Sequence, residues 1–169
     1  MDVVIRRMEA QDVAALVGAF GAEGWERSAS GIHRYLEEQD RGERVLLIAL
    51  ANEEPAGFGS LVWAPRYPGF REAGTPEVHD LNVLPSRQRL GIASRMMDEL
   101  EQVAAARSSS VGIGVGMHPG YGPAQRLYVL RGYVPDARGV SYDDRPVKSG
   151  EMLPVDDALN LYLVKMLRT

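Results

Sequence analysis

The chain lacks cysteine altogether. That excludes disulfides, thiolate metal sites and a cysteine nucleophile, and it fits a reducing, cytoplasmic location. It also lacks any apolar run approaching the ~20 residues of a membrane-spanning helix. The opening MDVVIRRMEAQD carries charges inside its only apolar stretch, so it does not read as a signal peptide. No block of lysine and arginine occurs, and the net charge is −4. Nucleic acid and anionic membrane surfaces are therefore poor partners, whereas a cationic amine is compatible. Histidine is scarce. His33, His79 and His118 include no pair at i, i+4 spacing, so no metal centre is expected.

What remains is a globular composition. With 169 residues, 45% hydrophobic and 25% charged, the chain can bury a core as one domain spanning residues 1–169. No repeat, low-complexity tract or linker interrupts it.

The predicted elements alternate in type. Val3 to Arg7 reads as a strand. Val13, Leu16, Val17 and Phe20 recur at helical spacing, ended by Gly21 and Gly24. Ser28 or Ser30 can cap a second helix, which carries Ile32, Tyr35 and Leu36. Val45 to Leu50 and Ala56 to Trp63 read as a hairpin around Asn52–Pro55. Ala64 to Thr75, with Pro65, Tyr67, Pro68, Phe70 and two glycines, reads as a loop. Glu77 to Leu84 is a strand stopped by Pro85. Leu90 to about Arg107 is the best helix in the chain. Val111 to Met117 is a strand, Pro123 to Arg131 a helix with proline at its start and Gly132 past its end, and Leu159 to Leu167 a closing strand. The order predicts an α/β layer structure with a mixed sheet, and Glu77 to Met117 has the length of a parallel crossover unit.

One segment carries chemistry: PEVHDLNVLPSRQRLGIA, Pro76 to Ala93. A strand enters a turn, and the long helix follows directly. A helix N-terminus has backbone N–H groups without intrahelical acceptors and a partial positive charge, so a small, open turn there can cradle phosphate. Gly91 allows close approach, Ala93 keeps the first turn uncrowded, Ser94 adds a hydroxyl, and Arg87 and Arg89 add charge.

Gln88-x-x-Gly91-x-Ala93 resembles the Q/R-x-x-G-x-G/A signature of the GCN5-related N-acetyltransferase (GNAT) family. Asp80–Pro85 is similar to the family's preceding strand, and Ala124–Tyr133 to its A-x-x-L-Y-x-x-x-G-F/Y segment. The resemblance implies the family's fold: a mixed, twisted central sheet with helices on both faces, whose strand at Leu81–Val83 splays from the one at Val111–Met117 to form a cofactor cleft. It implies acetyl-CoA as co-substrate and direct transfer of the acetyl group to a primary amine, more readily a small molecule than a protein. Implied cofactor contacts are Leu81, Asn82 and Val83, the turn residues Gln88, Arg89, Leu90, Gly91, Ile92, Ala93 and Ser94, and Tyr121 and Tyr128. Tyr121 stands where many members have asparagine, and Gln88 replaces the commoner arginine, leaving Arg87 or Arg89 to supply charge.

The resemblance puts Tyr128 at the family's acid position. A phenol near pKa ~10 is protonated at neutral pH and can donate to a departing thiolate. Glu77 is the leading candidate for the base, with His79 and Asp80 as alternatives. Alternation places Glu77, His79, Leu81 and Val83 on one face, unless a β-bulge reverses the order beyond it. The alternative function is a non-catalytic acyl-CoA-binding module. Members of the family often pair as homodimers, a point the sequence leaves open.

Two further patterns bear on the site. Gly112, Gly114 and Gly116 alternate within a strand, which is not a dinucleotide motif. They mark either close packing or the floor of a cleft. Trp25, Tyr35, Trp63, Tyr67, Phe70 and Tyr142 are candidates for an aromatic acceptor pocket, with Asp143 and Asp144 as its acidic rim.

Overall fold

The computed structural model describes residues 1–168. Its strands, β1 (Val3–Arg7), β2 (Arg44–Ala51), β3 (Glu54–Val62), β4 (Glu77–Val83), β5 (Ser110–Gly116), β6 (Val134–Tyr142), β7 (Arg145–Pro146) and β8 (Leu159–Met166), are hydrogen-bonded in the order β1-β2-β3-β4-β5-β8-β6-β7. Two compact units divide the described residues: 1–62 with 79–103, and 63–78 with 104–168.

In the first unit, β1 (Val3–Arg7) runs antiparallel to β2 (Arg44–Ala51), which forms a hairpin with β3 (Glu54–Val62). The hairpin turn is tighter than predicted. Asn52 and Glu53 alone make it, at φ +50° and +68°, the paired left-handed geometry that suits a two-residue hairpin loop. Strand β4 (Glu77–Val83) follows β3 in the order. At Gly57 a side chain is impossible: a Cβ there would lie 2.5 Å from the Asn82 carbonyl oxygen. Helices α1 (Val13–Ala22) and α2 (Ala29–Asp40) bury Leu16, Phe20, Ile32 and Leu36 against Leu46, Ile48 and Phe58 of the sheet. The other face takes α4 (Ile92–Ala105), whose Met96 reaches Gly59 and whose Met97 and Leu100 are fully buried. Helices thus cover both faces of this part of the sheet, as the family resemblance implies. Of the two candidate caps for α2, Ser28 is the one used; its hydroxyl accepts from the Gly31 N–H at 3.1 Å.

In the second unit, β5 (Ser110–Gly116) pairs antiparallel with β8 (Leu159–Met166), and β8 with β6 (Val134–Tyr142). A two-residue β7 (Arg145–Pro146) closes a hairpin on β6. Glu77 and Val78, the first residues of β4, pair in parallel with Gly112 and Ile113. Helix α5 (Gly122–Leu130) lies between β5 and β6 in sequence.

The predicted loop at 64–75 contains a helix, α3 (Pro68–Ala73), with Pro68 at its first turn and Gly74 ending it at φ +67°. Six residues are too few for helical periodicity to show. The helix exists because Phe70 and the preceding Tyr67 pack on Tyr162 of β8: Tyr67 stacks on Tyr162 at 3.6 Å, and Phe70 meets both rings edge-on. Strand β6 was not singled out in the sequence. Its residues are mostly exposed, so it lacks the apolar signal of its neighbours.

Candidate active site

The first unit holds the phosphate-type turn. After β4, Leu84 leads into a short 3-10 turn, Pro85–Arg87, and the chain then reverses through Arg89 (φ +60°) and Gly91 (φ +80°). The first bond of α4 runs from the Arg95 N–H to the Gly91 carbonyl at 3.1 Å. Helix geometry therefore leaves Ile92 and Ala93 with amides that have no acceptor within the helix. Gln88, Arg89, Leu90 and Gly91 are exposed, Ile92 is buried and anchors the helix, and Ala93 and Ser94 are half-buried.

Gln88 has a role the motif alone does not reveal. Its side-chain amide donates to the Val83 carbonyl at 3.2 Å, tying the turn to the end of β4. Arg87 is engaged elsewhere, donating to Glu54 at 3.2 Å. Of the two arginines considered for phosphate charge, Arg89 is the one in the turn without that commitment.

Strand β4 departs from simple alternation. Asp80 sits at φ +55° in mid-strand, a left-handed conformation that only glycine, asparagine and aspartate adopt with any ease. His79 and Asp80 consequently approach the same aromatic ring. Tyr35 of α2 donates its hydroxyl to the Asp80 carboxylate, and its ring meets His79 edge-on at 6.1 Å. The alternation of faces expected along this strand therefore does not continue beyond His79. Asn82, predicted to contact cofactor, accepts from Arg27 at 2.9 Å and donates to the Asp80 carbonyl at 2.9 Å. Leu81 packs on Gly59.

Beneath His79 lies Arg44, which the sequence did not flag. It is buried, paired with Glu38 at 2.6 Å, bonded to the Ser60 hydroxyl at 2.6 Å, and stacked under the Tyr35 ring at 3.8 Å. Its guanidinium also lies 3.3 Å from His79 Nδ1. Burial, followed by the hydrogen bond to Asp80, pushes the Tyr35 phenol up to about 12, so it remains a donor at neutral pH.

The second unit holds Glu77, Tyr121 and Tyr128. Glu77 is buried at the first rung of the β4–β5 pairing, opposite Gly112. Its charge, after burial and the hydrogen bond to Asp144, contributes to holding the Tyr162 phenol well above its usual range. Tyr128 on α5 is 6% exposed. Burial, with a smaller contribution from Tyr121, pushes its phenol up to about 12. Among the described residues none hydrogen-bonds to its hydroxyl. Tyr121 lies flat over Gly116, where a Cβ would come within 2.3 Å of its ring, and donates to Asp157 at 3.1 Å. His118 shares that carboxylate at 2.8 Å. The two hydrogen bonds, His118's first, draw the Asp157 carboxyl below its usual range.

The glycine face of β5 is thereby explained. Phe70, Tyr162 and Tyr121 occupy the spaces over Gly112, Gly114 and Gly116. Tyr67 and Phe70 do not line an opening; they pack on Tyr162 and are almost fully buried. Asp144 accepts from the Tyr162 hydroxyl, and Tyr142 donates to Asp156 at 2.9 Å. Among the described residues no His, Asp and Glu group suits a metal ion, and no helix is long and apolar enough to cross a membrane.

The family model of the acetyltransferase (GNAT) family matches residues 11–133, and the chain belongs to that family. Acetyl-CoA is the family's donor. No curated protein sequence matches the chain. Solved structures share its fold at low identity. A ribosomal-protein-alanine N-acetyltransferase from Brucella melitensis is 21% identical with a TM-score of 0.69, covering 97% of this chain and 99% of its own. The protein yncA of Salmonella typhimurium, solved with its cofactor acetyl-CoA, is 19% identical with a TM-score of 0.69, covering 98% and 94%. A spermidine N-acetyltransferase SpeG chimera from Vibrio cholerae and hSSAT is 12% identical with a TM-score of 0.68, covering 98% and 96%.

Proposed function

We propose that the whole chain works as one catalytic domain that transfers an acetyl group from acetyl-CoA to a primary amine, carried in the first place by a small molecule. The observation that supports this most is the turn from Gln88 to Ala93. Gly91 at φ +80° opens the start of a fourteen-residue helix to a phosphate, and Gln88 anchors the turn to β4. Ile92, Ala93 and Ser94 then supply amides and a hydroxyl to the pyrophosphate of coenzyme A, while Arg89 adds charge. Leu81, Asn82 and Val83 offer strand backbone to the pantetheine arm, and Tyr121 adds an aromatic wall.

The reaction is direct. The neutral amine nitrogen attacks the thioester carbonyl carbon, an N–C bond forms, and the C–S bond breaks. The nitrogen's proton passes to Glu77, directly or through water, and the departing thiolate takes a proton from Tyr128. A buried phenol that is protonated at neutral pH and bonded to no described residue is well suited to that donation. His79 is less suited to be the base, because the Arg44 cation faces its Nδ1.

The neighbours of this fold act on different acceptors by name, ribosomal-protein alanine in one and spermidine in another. The test is turnover. With acetyl-CoA and a panel of small amines and N-terminal peptides, free thiol release should exceed background for a small amine, and Tyr128→Phe should lower it. Acetyl-CoA binding without turnover of any acceptor would favour a non-catalytic acyl-CoA-binding module instead.

A further inference from the structure

The connection from β5 to α5, residues 117–121, is held by an arrangement that the reaction described above does not use. Its centre is the Asp157 carboxylate, in the segment leading into β8. A single oxygen, Oδ1, takes both of its bonds, from His118 at 2.8 Å and from the Tyr121 hydroxyl at 3.1 Å. His118 in turn accepts the Gly120 N–H at Nδ1, 3.1 Å away. That bond caps the 3-10 turn Pro119–Tyr121 and leaves Nε2–H to donate to Asp157. Two glycines make the room. A Cβ at Gly116 would meet the Tyr121 ring, and one at Gly120 would lie 2.7 Å from the imidazole. The His118 and Tyr121 rings meet edge-on at 4.7 Å. Tyr121 is therefore fixed at its face, its edge and its hydroxyl.

Holding the fold together does not account for Asp157. Its side chain is 80% exposed, and charges paired at such exposure add little to stability. The segment is anchored without it. Asp156 accepts from the Tyr142 hydroxyl at 2.9 Å and from the Ala158 N–H at 3.0 Å, and the Asn160 side chain donates to the Asp157 backbone carbonyl at 3.2 Å. Helix α5 has its own tie to β5, from the Gln125 side-chain amide to the Gly116 carbonyl at 2.9 Å. What is left for the Asp157 carboxylate to set is the direction of the Tyr121 ring. That ring stands near the proposed acid, close enough to contribute to the rise of the Tyr128 phenol.

We propose that Asp157 is a positioning residue for the donor: with His118, it holds the Tyr121 ring ready as a wall for acetyl-CoA. This role rests on the acetyltransferase reading and on the place given there to Tyr121. A side chain already fixed in its bound orientation spares the ligand the cost of ordering it, worth roughly two- to tenfold in affinity.

The test is calorimetric titration with acetyl-CoA, with Tm measured on each variant. Asp157→Ala should raise the acetyl-CoA Kd about three- to tenfold, while Tm falls by less than about 2 °C. Asp157→Asn keeps an oxygen where both bonds are accepted, so its Kd should stay within about twofold of the wild type. Tyr121→Phe should weaken binding about as much as Asp157→Ala, and the double variant no further, since both changes remove one interaction. Asp156→Ala, next to it in the same segment, should leave Kd within about twofold. An unchanged Kd in Asp157→Ala, equal weakening in Asp157→Asn or in Asp156→Ala, or additive losses in the double variant overturns this inference alone. A wild type that does not bind acetyl-CoA overturns the proposed function, and this inference with it.

Discussion

Tyr128 makes the sharpest claim of any single residue. Removing its hydroxyl leaves the ring to pack, so Tyr128→Phe should fold normally and bind acetyl-CoA with little change. Its kcat should fall roughly 10²-fold, the lower end of what a positioned acid supplies. The pH profile gives an independent check. Burial raises this phenol to about 12, so Tyr128, the proposed acid, stays protonated through pH 10, and activity should show no alkaline fall below that pH. A decline centred near pH 8 or 9 would point to another group. At this scale the sequence was legible where a residue follows from a motif and opaque where it follows from backbone geometry. Tyr128 could be placed because its helix follows from Pro123 and Gly132. The left-handed Asp80 could not, since period-two reasoning assumes uniform extension. Arg44 was missed because nothing local marks it: Ser60 and His79, its partners, lie sixteen and thirty-five residues away.

Among the elements, β5 and the hairpin turns give stability predictions of opposite sign. A methyl at Gly112 would sit 2.3 Å from the Phe70 ring, and that ring is locked between Tyr67 and Tyr162. Gly112→Ala should therefore destabilise by about 1–3 kcal/mol, seen as a drop in Tm of roughly 2–4 °C per kcal/mol. Glu53 is held at φ +68° at the tip of the β2–β3 hairpin, so Glu53→Gly should relieve about 1 kcal/mol and raise Tm. Ser28→Ala removes the cap of α2 and should cost about 1 kcal/mol. Long amphipathic segments such as α4 were legible from their spacing. Helix α3 was not, because Tyr67, Pro68 and Phe70 look like a loop until Tyr162, ninety residues on, supplies the surface they pack against. The glycines of β5 left open a choice between close packing and a cleft floor, because what lies over them is three rings from other segments, Phe70, Tyr162 and Tyr121.

At the scale of the whole molecule, several buried phenols set the response to alkali. Tyr35 and Tyr128 are each raised to about 12, and Tyr67 and Tyr162 are raised further, in every case first by burial. A raised phenol binds its proton more tightly folded than unfolded. The stability it contributes is therefore present in full below the unfolded value near ~10 and is lost as pH rises through the folded value. Thermal unfolding should be insensitive to this term at pH 7–9 and fall steeply above pH 10. Donor binding acts in the opposite direction: acetyl-CoA at a hundred times its Kd should add about 2.7 kcal/mol to stability.

The most direct test of the central claim is calorimetric titration of the protein with acetyl-CoA, with ATP and NAD as controls and Gly91→Val as the altered turn. Acetyl-CoA alone should bind 1:1 in the roughly micromolar range, and at least about tenfold more weakly when the glycine at φ +80° is replaced. No binding of acetyl-CoA, or equal binding of ATP, would contradict it.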